Sequence, residues 1–401
     1  MTRAQRNISA KLASNTRKFK KMKITLDRTP EQVELIKAMA SKNREVAYEA
    51  QTALAEFIGP VLAEVINTAP TVSNMFTSLQ FNSEESPSIP LDLYHDITDE
   101  DYIQIWSQSV PGGLPTNQVA PSQSELKFTT YTLDSALSFD KRYASRSRLD
   151  VVSKTFTRMA QEVLLKQEKT SASMIMTALA NGVTNGDNHV IRSAQAGRFL
   201  LSDLNKLFTR AKRINTSWTG GTPADRRGRG ITDLLVSPEI VEEIRGLAYN
   251  PLNTVGSKGG ELKDGEGMIA GTDSMRDAIF NSAGIPEFYG VSIQEYNEMG
   301  VDQKWNTVFD ASAGGKSYDA FYATNTGAGA IAPSTEQILV GVDLSRESMI
   351  RAVATDSESG DEFSLVSDDQ FVTRQSKIGY YGSLEEGRMI IDDRVLLGLI
   401  V

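Results

Sequence analysis

The stretch Ser153–Gly182, "SKTFTRMAQEVLLKQEKTSASMIMTALANG", decides the fold. Phe156, Met159, Ala160, Val163, Leu164, Gln167, Ser171, Met174, Ile175, Ala178 and Leu179 recur at the spacing of one helical face. Ser153 suits an N-cap, and Asn181-Gly182 a natural stop. The spacing therefore predicts a single helix over Ser153–Asn181, at about 1.5 Å per residue some ~40 Å long. Its apolar stripe is narrow, and Arg158, Glu162, Lys166 and Lys169 occupy the opposite face. Such a helix lies across a sheet or a neighbouring surface rather than being buried all round.

Upstream, "LKFTTYTLDSALSFDKRYA" (126–144) places Tyr131, Leu133, Leu137 and Phe139 on one parity, the mark of a strand with one face partly buried. "DYIQIW" (Asp101–Trp106) also has strand composition. Between them, "QSVPGGLPTNQVAPSQSELKF" (Gln108–Phe128) has three prolines, two adjacent glycines and little to bury. The pattern predicts an extended hairpin with a long proline-glycine tip, since structureless loops of this length are functional or disordered. Residues 82–100, rich in Ser, Pro, Asp and Glu, are expected to be loop. Earlier still, Thr29, Pro30 and Gln32 make a capping-box start. Val33, Leu35, Ile36, Met39, Val46, Ala50, Leu54, Phe57 and Ile58 then form an imperfect helical stripe. Gly59-Pro60 is expected to break or kink it before a second piece, Val61–Ile66, that closes at Asn67.

From Phe199 the pattern turns mixed α/β. Leu204, Leu207, Phe208, Ala211 and Ile214 predict a short amphipathic helix, "ITDLLVS" (231–237) a strand, and Ser237-Pro238-Glu239 the start of a helix through Leu247. "NTVGSKGGELKDGEGMIAG" (253–271) is glycine-rich loop, "DSMRDAIFNSAG" (273–284) helix-like, and "IPEFYGVSIQEY" (285–296) a turn plus strand. After Gln337 come strands: "QILVGVDL", "SMIRAVA", "DQFVTRQSKIGYYGSL" and "RMIIDDRVLLGLIV".

Little in the 401 residues speaks for chemistry. There are no cysteines, which excludes disulfides, thiolate sites and cysteine nucleophiles. The two histidines, His95 and His189, are far apart in polar, loop-like contexts. Gly314-Gly315-Lys316-Ser317 resembles the end of a phosphate loop, but Asp310 stands where its first glycine is needed. The pairs Asp368-Asp369, Glu385-Glu386 and Asp392-Asp393 point to opposite faces if on strands, so they are expected to be solvated surface. Trp106, Trp218 and Trp305 are expected as core or interface anchors. No catalytic, cofactor or metal site is expected, and no apolar run suits a membrane span. The charge is uneven: eight basic residues and no acidic one precede Asp27, leaving the remainder at −17 against −9 for the whole chain. Arg17, Lys18, Lys20, Lys21 and Lys23 of this arm are candidate contacts to a polyanion or an acidic neighbour.

The order of these elements resembles the major capsid proteins of tailed bacteriophages, the Hong Kong ninety-seven type of α+β fold. The resemblance implies an N-terminal arm over 1–84, an extended loop over 85–145, and a peripheral domain with its spine helix over 146–189. A mixed α/β axial domain over 190–336 and peripheral return strands over 337–401 would follow. It implies a non-enzymatic subunit that self-assembles into pentamers and hexamers around double-stranded DNA, contacted non-specifically at the inner surface. Scaffolding, portal and cement or decoration proteins would be its partners, the host cytoplasm its place of synthesis, and the virion head its destination. Trp106, Pro111, Gly112, Gly113, Pro115, Pro121 and Lys127 would then be inter-subunit contacts of the extended loop. Some relatives cross-link a lysine of this loop, for which Lys127 is the candidate here. The rival readings are an encapsulin-like compartment shell, a soluble α/β enzyme with 253–271 as a glycine-rich lid, and a nucleic-acid-binding protein led by the basic arm.

Overall fold

The computed structural model describes residues 29–68, 71–82, 86–90, 125–146, 148–184, 186–193, 197–214, 230–249, 287–288, 290–318, 329–346, 348–355, 362–368 and 377–401. Helix α1 (Pro30–Met39) starts as its sequence predicts, with Thr29 Oγ1 accepting from the Gln32 N–H. The chain then turns at Ser41 and Asn43: Ser41 Oγ accepts from the Asn43 N–H, and Asn43 Oδ1 from the Glu45 N–H. That second cap starts α2 (Arg44–Thr68), which runs unbroken through Pro60. The expected break is overridden because Leu54, Ile58, Leu62 and Ile66 form one buried stripe on both sides of the proline. Packing supplies most of a helix's stability in a folded protein. Val46 and Phe57 fall off that stripe and are exposed.

After strands β1 (Thr77–Asn82), β2 (Ser88–Pro90), β3 (Glu125–Lys127) and β4 (Thr130–Asp140) comes a short helix, α3 (Lys141–Ser145). The spine, α4, spans Leu149–Asn181. It begins before the expected Ser153, which is buried inside it, because Val152 extends the apolar stripe one turn toward the N-terminus. Asp150 in the first turn complements the helix dipole. One half of α4 (Val152, Phe156, Met159, Val163) packs with α1, α2 and β4 in a first core. The other half (Ala172, Ile175, Met176, Leu179) enters a second.

The remaining elements are β5 (Val183–Thr184), β6 (Asp187–Asn188), β7 (Val190–Arg192), α5 (Leu201–Ile214), β8 (Asp233–Val236), α6 (Pro238–Tyr249), β9 (Glu287–Phe288), β10 (Val291–Glu295), α7 (Lys304–Ala313), β11 (Ile338–Val342), β12 (Met349–Thr355), β13 (Ser364–Asp368), β14 (Lys377–Ile390) and β15 (Leu396–Ile400). A five-stranded sheet has the order β1-β12-β14-β13, with β4 also on β14. A six-stranded mixed sheet runs β7-β15-β11-β8-β10-β9. The segment after Gln337 therefore divides: β12, β13 and β14 join the first sheet, β11 and β15 the second. The sequences read as separate strands around Leu384 and Met389 are one strand, β14. Gly387 marks no turn there; a Cβ on it would sit 2.8 Å from Thr129 O, so glycine permits a close approach of backbones. The span expected as loop, 82–100, contributes β2, which pairs antiparallel with β3.

Candidate functional site

Between the two cores lies a buried ionic cluster. Glu386 Oε2 accepts from Arg351 Nε (2.9 Å), Arg388 Nη2 (3.1 Å) and Gln167 Nε2 (3.0 Å), while Oε1 accepts from the Tyr131 hydroxyl at 2.8 Å. Arg388 also donates to Gln167 O on α4 and to Ser73 Oγ in the turn before β1. Charge-assisted bonds of this kind are strong, yet burying ions costs several kcal/mol each, so removing one partner costs about 3–5 kcal/mol. Burial, then the Glu386 charge, pushes the Tyr131 hydroxyl up to about 12. Burial also lowers Arg388 and raises Glu168, whose carboxylate accepts from the Val72 N–H. Glu386 is thus fully buried, against the expectation of solvated surface for its pair. Its two arginines compensate the desolvation, and strand alternation does send Glu385 to the other face. The cluster ties α4 to β4, β12 and β14; it is a brace with no open coordination site.

His189 is likewise buried rather than in a solvated loop. Its Nδ1 lies 3.1 Å from Asp393 O and its Nε2 2.7 Å from Thr184 Oγ1. A carbonyl only accepts, so Nδ1 carries the proton and Nε2 accepts from the threonine. Gly182 makes room for the ring, since a Cβ there would meet Nδ1 at 2.6 Å. The imidazole fastens the end of the spine to the turn before β15. Gly314 (φ 58°) and Gly315 (φ 80°) follow the C-terminus of α7, the negative end of a helix and the wrong place for a phosphate. Trp305 is a core residue. No His, Asp and Glu cluster among the described residues can hold a metal ion.

Surfaces, then, are what the chain offers. A groove of about 650 Å³ runs along the outer face of α4, between α7 and the end of β14. Met174, Trp305, Val308 and Met389 line it together with Lys166, Lys169 and Lys304. On the outer face of the five-stranded sheet, Val366 and Tyr381 sit side by side across β13 and β14, both exposed. Lys127 is exposed on β3, opposite Ser88 of β2. That ribbon leaves at Pro90 and returns at Glu125, so residues 91–124 are one excursion closed at its base. The other extended-loop candidates, Trp106, Pro111, Gly112, Gly113, Pro115 and Pro121, lie outside the described residues. So do Arg17, Lys18, Lys20, Lys21 and Lys23, the strand expected at Asp101–Trp106, the helix at 273–284, His95 and Trp218.

Solved structures of similar shape are shells. The capsid of cyanophage P-SCSP1u is 14% identical, with a TM-score of 0.44 over 81% of this chain and 86% of that one. The capsid of a native GTA particle is 11% identical, with a TM-score of 0.47 over 82% and 90%. The holo-SrpI encapsulin complex of Synechococcus elongatus PCC 7942 is 11% identical, with a TM-score of 0.42 over 81% and 85%. The likeness is one of fold. No family model and no curated protein matches the chain. The α+β fold found here, with a long spine helix and a mixed sheet, is of the class that the resemblance to tailed-phage capsid proteins implies.

Proposed function

We propose that the chain is a major capsid protein, a shell subunit whose copies join head to tail into pentamers and hexamers enclosing double-stranded DNA. The observation that carries this reading is the β2–β3 ribbon. It forms its own two-stranded sheet, separate from both large ones, and a lone two-stranded ribbon is marginal in water. Its root is pinned by Phe128, which packs on Phe81, Ile350 and Ala352. Residues 91–124 beyond it would gain their packing from a second copy. Closed rings of identical subunits supply such a surface to every copy at once, and many weak contacts then make dissociation rare. The prolines of 108–128 lower the entropy lost on docking. In this reading 85–145 is the extended loop and 190–336 the axial domain, and the acidic body lets packaged DNA move past it. Scaffolding, portal and decoration proteins would be further partners, and the virion head the destination.

The test is to replace Val110–Ser122 with a short glycine-serine linker. The expected product is a subunit with unchanged circular dichroism and unfolding midpoint that builds no closed shells in negative-stain images or light scattering. Normal shells from this variant would overturn the reading.

A further inference from the structure

Helix α2 buries one face in the first core and leaves an apolar stripe on the other. Val46, Ala53, Phe57 and Val61 recur there at helical spacing and are exposed, Phe57 by 54%. Glu45, Glu49 and Glu56 run along one edge of the stripe, exposed and without a basic partner among the described residues. Such a surface fits a partner that is apolar and basic at once. The chain carries one directly ahead of α1. Residues 1–26 hold eight basic residues and no acidic one, and Ile8, Leu12, Phe19, Met22 and Leu26 recur at the spacing of one helical face.

We propose that residues 1–26 dock on the outer face of α2 in their own chain. Their apolar stripe covers Val46, Phe57 and Val61, and Arg17, Lys18, Lys20, Lys21 and Lys23 lie along the glutamate edge. This contact is made within one subunit, so it stands apart from the shell reading. Charge selects the occupant. A second copy of α2 would bring the same glutamates to the contact, and the one basic residue of that helix, Arg44, stands at its very start. Nucleic acid is repelled by the acidic edge and offers no aliphatic groups to the stripe. Reach and proximity select the chain's own arm. The arm joins α1 at Thr29, and Ile36 and Met39 of α1 share the first core with Leu54 and Ile58 of α2. Helix α2 has 25 residues, so it is ~37 Å long, well within the span of a 26-residue segment. Tethering so close gives the arm a high effective concentration at this face.

Carbodiimide joins lysine amines to carboxylates in contact, and mass mapping of the treated, dilute and unassembled full chain reads which pairs have met. Links from Lys18, Lys20, Lys21 or Lys23 to Glu45, Glu49 or Glu56 are expected in a product of monomer mass. Phe57→Glu/Val61→Glu should cut their yield about tenfold, since it removes the apolar contact. Both side chains are exposed, so this variant keeps its cooperative unfolding transition. Hydrogen exchange gives a second readout. The amides of residues 1–26 should be slowed in the native chain and released in Glu49→Lys/Glu56→Lys. They should be slowed again when Lys18→Glu/Lys20→Glu/Lys21→Glu is added to that variant, a rescue that a fold defect would not allow. Arm amides that exchange at the free-chain rate in the native protein overturn the proposal. So do links found only at dimer mass, links indifferent to Phe57→Glu/Val61→Glu, and protection of the arm that appears only on adding duplex DNA. A native chain that never builds shells would sink the shell reading alone.

Discussion

His189 is held neutral because burial strips water from its ring, and this outweighs the pull of Asp393 and Asp392 toward the charged form. Its pKa in the folded chain is thus lowered below the ordinary imidazole value of about 6.5. Between the folded value and about 6.5, the unfolded chain binds a proton that the folded chain refuses. The resulting stability is complete above that window and is lost as pH falls through it, with a slope of at most about 1.4 kcal/mol per pH unit. Urea unfolding at a series of pH values should show this decline below about pH 6.5, and His189→Gln should flatten it. An unchanged slope in the variant would place the sensitivity elsewhere. Glu386 belongs to the same class of residue: buried, polar and satisfied mostly by partners distant in the chain. The sequence shows only "GDNHV" and "SLEEGR" around the two residues. Arg388 and Thr184 are near in the chain, but the partners that complete each site, Asp393 for His189 and Gln167 for Glu386, lie 204 and 219 positions away. Local composition carries no trace of that.

The same division between local and distant causes holds for the elements. The spine helix, the alternation of β4 and the helix over 201–214 were legible because each buried face is written in its own period. The course of β14 was not, since a Glu-Glu-Gly run reads as a turn until Arg351 and Arg388 are known to face it. Helix α7 was missed because its start has no side-chain cap and its buried faces are only Trp305, Asn306 and Phe309. Which sheet each closing strand joins depends on register with strands far away, which no window of sequence contains. Of the candidate surfaces, only the returning arm of the ribbon, from Leu126 on, was legible; its partner β2 lies in the span expected as loop, and the lysine groove was not legible because α7 supplies one wall. Pro60 gives the clearest conflict between local preference and packing. Its ring is exposed, so it contributes no buried area, while it removes a backbone donor in mid-helix. Gly59 beside it has only Leu365 Cβ near, at 3.9 Å. Pro60→Ala is therefore expected to raise stability by about 1–3 kcal/mol and to increase helical circular dichroism. A loss of stability would mean that the restricted backbone of the proline is needed for α2 to follow the first core.

At the scale of the molecule, α4 is the one helix among the described residues that contributes to both the first and the second core. Phe156 to Leu164 belong to the first, Ala172 to Ala180 to the second, and the Glu386 cluster grips the helix between them at Gln167. A continuous helix transmits order along its length, because each added residue gains a hydrogen bond without a new nucleation cost. The two cores should therefore unfold together, as one cooperative transition, despite their separate sheets. Thr170 stands between them, partly buried, its hydroxyl bonded to the Lys166 carbonyl. Thr170→Pro removes one backbone donor and clashes with that carbonyl, at a cost of about 3 kcal/mol or more. If α4 is the coupling element, the loss is not merely a lower midpoint: calorimetry of the unassembled variant should resolve two transitions, one for each core. Hydrogen exchange would then show Phe156–Val163 and Ile175–Leu179 opening with different free energies. A single, uniformly shifted transition would mean that the cores are joined through β12 and β14 and their buried ion pairs, and that the spine helix only follows them.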